Sequence, residues 1–151
     1  MRVEIPTRRS TVQLARSLSA QLKVGDLVVL SGPLGVGKTF FIRAACRALG
    51  VSQAIAITSP TFGLVHDYEA RVPIVHADLY RLDSADDVVR LGLSECRARS
   101  VIFVEWGEPY VEQLGGDALV VAFDYQEDAR RADIHPTGPV AEERLATLGS
   151  I

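Results

Sequence analysis

Several kinds of function are excluded by what this sequence lacks. Cysteine occurs twice in 151 residues, at Cys46 and Cys96, with no C-x-x-C pair. That usage fits a reducing compartment and no metal site, and both thiols fall in helix-patterned segments where a lone cysteine acts as a small buried hydrophobe. No apolar run approaches the length needed to span a bilayer, and the start Met1-Arg2-Val3-Glu4-Ile5 is unlike a signal peptide. The expectation is a cytoplasmic protein with no membrane partner. Positive charge is not in excess either: 16 Lys and Arg against 19 Asp and Glu leave a net charge of −3. This argues against a broad footprint for nucleic acid, DNA included, and leaves a local basic patch open. No repeat, linker or low-complexity segment appears, so residues 1–151 are expected to form one domain.

What is present centres on Ser31-Gly32-Pro33-Leu34-Gly35-Val36-Gly37-Lys38-Thr39, which fits G-x-x-x-x-G-K-[ST] at every fixed position. Gly32, Gly35 and Gly37 let the backbone turn its N–H groups inward around a diphosphate without a Cβ in the way. Lys38 would reach the β- and γ-phosphates, and the Thr39 hydroxyl is a ligand for the Mg²⁺ that bridges them. Context supports the motif. Leu27-Val28-Val29-Leu30 reads as a strand covered on both faces, while Phe41, Ala45, Ala48 and Leu49 recur at helical spacing up to Gly50.

Around this centre the pattern alternates. Val3 and Ile5 suggest a short edge strand ended by Pro6, then Ser10 with Gln13 reads as a capping box for a helix along Leu14, Ala15, Leu18 and Leu22. Thr11 falls in its first turn. Ala54-Ile55-Ala56-Ile57 reads as a second short strand, stopped by the loop Thr58-Ser59-Pro60-Thr61-Phe62. Residues 64–68 and 72–76 suit a hairpin, with Pro73 marking an edge or a terminus. Ser84 to Asp87 opens a weaker helix interrupted by Gly92, and Val101 to Val104 is the clearest strand of the second half. Pro109 opens a short helix closed by Gly115-Gly116, strands follow at 118–123 and near 132–136, and a helix spans 139–148. The expected fold is α/β, a P-loop nucleotide-hydrolase architecture with a mainly parallel sheet, an antiparallel hairpin addition and helices on both faces.

Such a loop needs a carboxylate opposite Thr39, at the end of a neighbouring buried strand. Glu105 and Asp78 both occupy such positions, and the two are candidates to share one ion. His76 lies two residues before Asp78 on one strand face and reads either as a structural hydrogen-bonding residue or as a catalyst. Trp106 reads as core, as a partner surface or as a lid.

The phosphate loop, the segment S-P-T-F at 59–62, His76-Ala77-Asp78-Leu79-Tyr80-Arg81-Leu82 and Glu105-Trp106-Gly107-Glu108 together resemble the TsaE (YjeE) family, the ATPase of bacterial tRNA threonylcarbamoyladenosine synthesis. The resemblance runs from about Thr11 to Glu108, with a weaker tail. It implies ATP/ADP and Mg²⁺ as cofactors and homologues of TsaD and TsaB as partners, with tRNA reached only indirectly. It further implies catalytic roles for Lys38, Asp78 and Glu105, and metal ligation by Thr39, Glu105 and Asp78. Cofactor contacts are implied at Thr11, Gly35, Val36, Gly37, Lys38, Thr39, Phe40 and Arg130, with Arg131 the alternative to Arg130. Arg43 and Arg81 match recurrent family arginines, and Ser59 and Thr61 sit where a loop could sense the γ-phosphate. Pro33, Phe40 and Gly107 depart from residues common in the family, and Pro33 also removes one backbone N–H from the loop.

The chemistry expected is Mg²⁺-dependent hydrolysis of ATP, carried by positioning and charge neutralisation. Glu108 or Asp78 is available to orient water. No arginine finger is assignable, so turnover is expected to be slow alone and faster with partners. The rival readings are a small-molecule P-loop kinase and a non-catalytic ATP-binding switch. A GTPase is disfavoured by the absence of N-K-x-D.

Overall fold

The computed structural model describes residues 1–60 and 64–149. In chain order its elements are β1 (Arg2–Glu4), α1 (Arg8–Ser19), β2 (Leu27–Ser31), α2 (Lys38–Ala48), β3 (Val65–Tyr68) and β4 (Ile74–Asp78). There follow α3 (Ala85–Arg90), α4 (Leu93–Cys96), β5 (Val101–Glu105), a 3₁₀ turn at Glu108–Tyr110, β6 (Ala118–Tyr125), β7 (Arg130–Pro136) and α5 (Pro139–Leu148).

The strands form one sheet in the order β1-β7-β6-β2-β5-β4-β3. The central strands β6, β2, β5 and β4 run parallel. At one edge β3 pairs antiparallel with β4, completing the expected hairpin. At the other edge β7 turns back along β6, and β1 joins β7 with Arg2 opposite Asp133. Alternation along β2 explains its unbroken apolar run. Val28 and Leu30 face a cluster with Leu14, Phe41 and Ala141 from α1, α2 and α5. Leu27 and Val29 face the opposite cluster, with Val88 and Leu93 from α3 and α4. Helices therefore cover both faces, and each such side chain removed from water contributes about 1.5–3 kcal/mol.

Three local expectations change. The segment 54–57 is not a strand: two of its carbonyls are taken by arginines of α2, with Arg43 Nε donating to Ile57 O at 3.1 Å and Arg47 donating to the carbonyl of Ile55 and to that of Ser52 just before the segment. Those acceptors are satisfied by guanidinium groups rather than by a neighbouring strand. The cap of α1 is Thr7 with Ser10, not Ser10 with Gln13. Thr7 is extended and its Oγ1 accepts from Ser10 N at 3.1 Å, while Ser10 Oγ accepts from Thr7 N at 3.0 Å. Serine here fills the reciprocal place usually held by glutamate or glutamine. Pro73 precedes an interior strand, so it marks a terminus and β3 supplies the edge.

Cys46 is fully buried in α2, and burial pushes its thiol up to about 12. Between about 8.5, the usual thiol value, and that value, the folded chain keeps a proton that the unfolded chain has lost. The contribution of this thiol to stability is therefore complete below the window and declines as pH rises through it. In thiol labelling at pH 8, Cys46 should react only after denaturant is added, whereas native labelling as fast as that of the partly exposed Cys96 would contradict this burial.

Candidate nucleotide-binding site

The loop between β2 and α2 takes the conformations its glycines permit. Gly32, Gly35 and Gly37 have φ of 132°, 77° and 117°, and Gly37 is the N-cap of α2. A Cβ on Gly32 would lie 2.5 Å from the Phe123 carbonyl oxygen, whereas one on Gly35 would meet nothing within 4 Å. Gly32→Ala combines backbone strain with a clash against β6 and should cost about 2–4 kcal/mol, against about 1 kcal/mol for Gly35→Ala. Urea denaturation of the two variants checks the order. Equal midpoints would show that the close approach of the loop to β6 does not constrain it.

Lys38 and Thr39 open α2 and face the ends of β4 and β5. Lys38 is buried, and its Nζ donates to the carbonyls of Gly32 at 2.7 Å and Pro33 at 2.9 Å while lying 4.3 Å from the centre of the Trp106 ring. Desolvation pulls this ammonium below the ordinary lysine range, and the charges of Glu105 and Asp78 oppose that shift. Thr39 Oγ1 donates to Glu105 Oε1 at 2.8 Å. The other oxygen, Oε2, lies 2.7 Å from His76 Nε2, with both side chains buried. An ionised carboxylate only accepts, so this geometry places the His76 proton on Nε2. Among the described residues its Nδ1 has no partner. His76 therefore orients Glu105 from behind, and nothing places it against a reacting atom.

Asp78 lies directly across from Glu105 in the β4–β5 register. Its Oδ2 accepts from Ser59 Oγ at 2.9 Å and its Oδ1 from Tyr80 N at 2.9 Å. Ser59 is thus tied to the carboxylate edge; Thr61, the other hydroxyl of that expected sensing loop, lies outside the described residues. Gly35, Gly37, Lys38, Thr39, Phe40, Asp78 and Glu105 line one cavity of about 430 Å³, together with Ser59, Tyr80, Arg81 and Trp106.

Val36, Thr11 and Arg130 stand apart from that cavity. Val36 is buried and offers its carbonyl to Arg130 Nη1 at 3.1 Å, and Arg130 Nη2 reaches Thr11 Oγ1 at 3.5 Å. These residues brace the far side of the loop. Arg131 instead pairs with Asp124 and Asp133, so Arg130 is the arginine that approaches the loop. Phe40 carries Arg8 over its ring at 5.8 Å. The sequence reading missed Tyr80, whose ring lies 5.0 Å from that of Trp106; its place two residues after Asp78 was the available signal. Trp106 has φ of 61°, which is uncommon for a bulky residue, and this turn directs its ring over Lys38.

Ligands of open α/β sheets bind beyond the carboxyl ends of the parallel strands. The loop after β2, Asp78 at the end of β4 and Glu105 at the end of β5 all gather there. This makes the chain an α/β domain of the P-loop nucleotide-hydrolase architecture. Residues 5–132 match the family model of the threonylcarbamoyl adenosine biosynthesis protein TsaE, and the chain belongs to that family, which acts in tRNA threonylcarbamoyladenosine biosynthesis. It is 43% identical over 116 residues to the TsaE protein of Streptomyces coelicolor, covering 74% of this chain and 77% of that one. Against the TsaE protein of Treponema pallidum it is 33% identical over 132 residues, covering 87% and 96%. Among solved structures it is similar to Bacillus subtilis YdiB, with a TM-score of 0.80 and 25% identity over 98% of this chain and 93% of that one.

Proposed function

We propose that this chain is the Mg²⁺-dependent ATPase of the tRNA threonylcarbamoyladenosine machinery, acting on a complex of TsaD and TsaB homologues. The observation that carries this reading is the bond from Thr39 to Glu105 at the start of α2, beside a glycine-rich loop that leads directly into that helix. Backbone N–H groups of the loop and the N-terminus of α2 favour the anionic phosphates of ATP. Lys38 would leave the carbonyls of Gly32 and Pro33 and transfer its charge to the β- and γ-phosphates. Thr39, Glu105 and Asp78 are hard oxygen donors, a set that would hold Mg²⁺ together with substrate phosphates and water. Once bound, the ion would neutralise charge developing on the transferred phosphoryl group. Asp78, which lines the cavity and is fixed by Ser59 and Tyr80, would orient water; Glu108 lines a separate hollow beside Trp106. Arg130 holds the loop from behind through the Val36 carbonyl.

No helix among the described residues is long and apolar enough to cross a membrane. The test is phosphate release from ATP with Mg²⁺, first for the chain alone and then with purified TsaD and TsaB. Slow basal turnover with strong stimulation is expected. Absence of stimulation, with phosphate transferred to a small hydroxyl acceptor, would replace this reading with the kinase.

A further inference from the structure

Charge in this protein is segregated in a way the net value conceals. Between Glu4 and Asp67 the only carboxylate is Asp26, while the same stretch holds Arg8, Arg9, Arg16, Lys23, Lys38, Arg43 and Arg47. Asp26 is buried and paired with Arg144, so it offers no charge to the surface. From Asp67 onward carboxylates outnumber arginines.

The structure concentrates this excess on the outer faces of α1 and α2, which pack side by side. Arg9 and Arg16 are seven residues apart on one exposed stripe of α1, and Arg43 and Arg47 are four apart on α2. Between the helices runs a groove of about 450 Å³ edged by Arg16, Arg43 and Arg47 and floored partly by Val12 and Phe40. A second hollow of about 260 Å³ extends it past Val12 and Arg16 to Arg9. The side chains of Arg9 and Arg16 have no hydrogen-bond or ion-pair partner among the described residues. Arg43 and Arg47 donate only to backbone carbonyls, which orders them without neutralising them.

A helix pair with no carboxylate forgoes the ion pairs that ordinarily lace solvated helices. A face of one sign calls for a partner of dense opposite charge, and a membrane-binding face carries apolar side chains that enter the lipid. This groove is of one sign, concave and built of arginine, whose planar fork matches phosphate oxygens. We infer that the α1–α2 groove binds the phosphate backbone of structured RNA. The inference stands on this charge arrangement and on the family's place in tRNA modification, and it does not depend on the ATPase reading. It adds a direct contact to the indirect one that the family resemblance implies.

The test is fluorescence anisotropy with a labelled, unmodified tRNA transcript between 50 and 200 mM salt. Arg9→Glu/Arg16→Glu should weaken binding at least tenfold and make the slope of log affinity against log salt shallower by about two, one for each arginine that no longer meets a phosphate. ATP affinity and circular dichroism should be unchanged. Should the reversed variant misfold, Arg9→Gln/Arg16→Gln decides the matter and should produce the same change with smaller amplitude. The inference is overturned if the wild-type chain fails to bind tRNA at 50 mM salt, or if the folded variants bind it equally well. It is also overturned if the substitutions abolish binding to TsaD–TsaB while sparing tRNA, which would make the groove a protein dock. Tighter binding to phosphatidylglycerol vesicles than to tRNA through the same arginines would assign it to a membrane surface instead.

Discussion

Lys38→Ala should reduce Mg²⁺-dependent phosphate release from ATP by at least about a hundredfold, the scale of losing one preorganised charge-stabilising donor, and leave the fold in place. The two consequences separate because of where the ammonium sits. It is held by the carbonyls of Gly32 and Pro33 and lies over Trp106. Removing it returns those carbonyls to water in an open cavity. It also removes a cation already disfavoured by desolvation, so the net stability change should stay within about 1 kcal/mol. With ATP bound as proposed, no other residue of the loop would carry a positive charge to replace it. Phosphate release and thermal melting of the same preparation test both parts, and hydrolysis within a few-fold of wild type would remove Lys38 from the mechanism.

Glu105 allows a sharper separation of charge from architecture. Glu105→Gln keeps an oxygen for the Thr39 hydroxyl and places an amide against His76, whose imidazole has a second tautomer able to accept from it. That variant should be nearly as stable as wild type and lose at least about a hundredfold in hydrolysis, because the proposed Mg²⁺ site would lose a negative ligand. Glu105→Ala should lose activity as well and a further 1–3 kcal/mol or so of stability, since a buried His76 is then left with neither nitrogen bonded. Chemical denaturation alongside activity distinguishes them. Equal stability of the two variants would show that the hydrogen bond between His76 and Glu105 does not support the fold, and an active Glu105→Gln would mean that the carboxylate charge is not required.

The readable and unreadable parts of this protein divide along a physical line. Strand β2, the glycine loop and α2 were legible because their signals are local: a continuous apolar run, glycines where φ must be positive, and a 3.6-residue repeat. Local signals misled at 54–57, where an apolar run met arginine side chains instead of a strand partner, and at α1, where a serine performed the work usually done by a longer side chain. The antiparallel edge formed by β6, β7 and β1 was not legible as a unit, since the partner of Arg2 is Asp133, nearly the whole chain away.

By itself, then, the sequence determined the phosphate-binding pattern, the α/β class and a short set of polar candidates at strand ends, all consequences of backbone sterics and periodicity within a few residues. Only the tertiary structure decided among those candidates. Register across β2 and β5 put Glu105 rather than Asp78 on Thr39, and the two-residue pleat of β7 sent Arg130 toward the loop while turning Arg131 to Asp124 and Asp133. The same folding brought α1 beside α2 and gathered arginines scattered through the first third of the chain onto one surface. Which side chains meet across the sheet is set by pairings between distant segments, and a one-residue change of register would exchange the cross-strand partners.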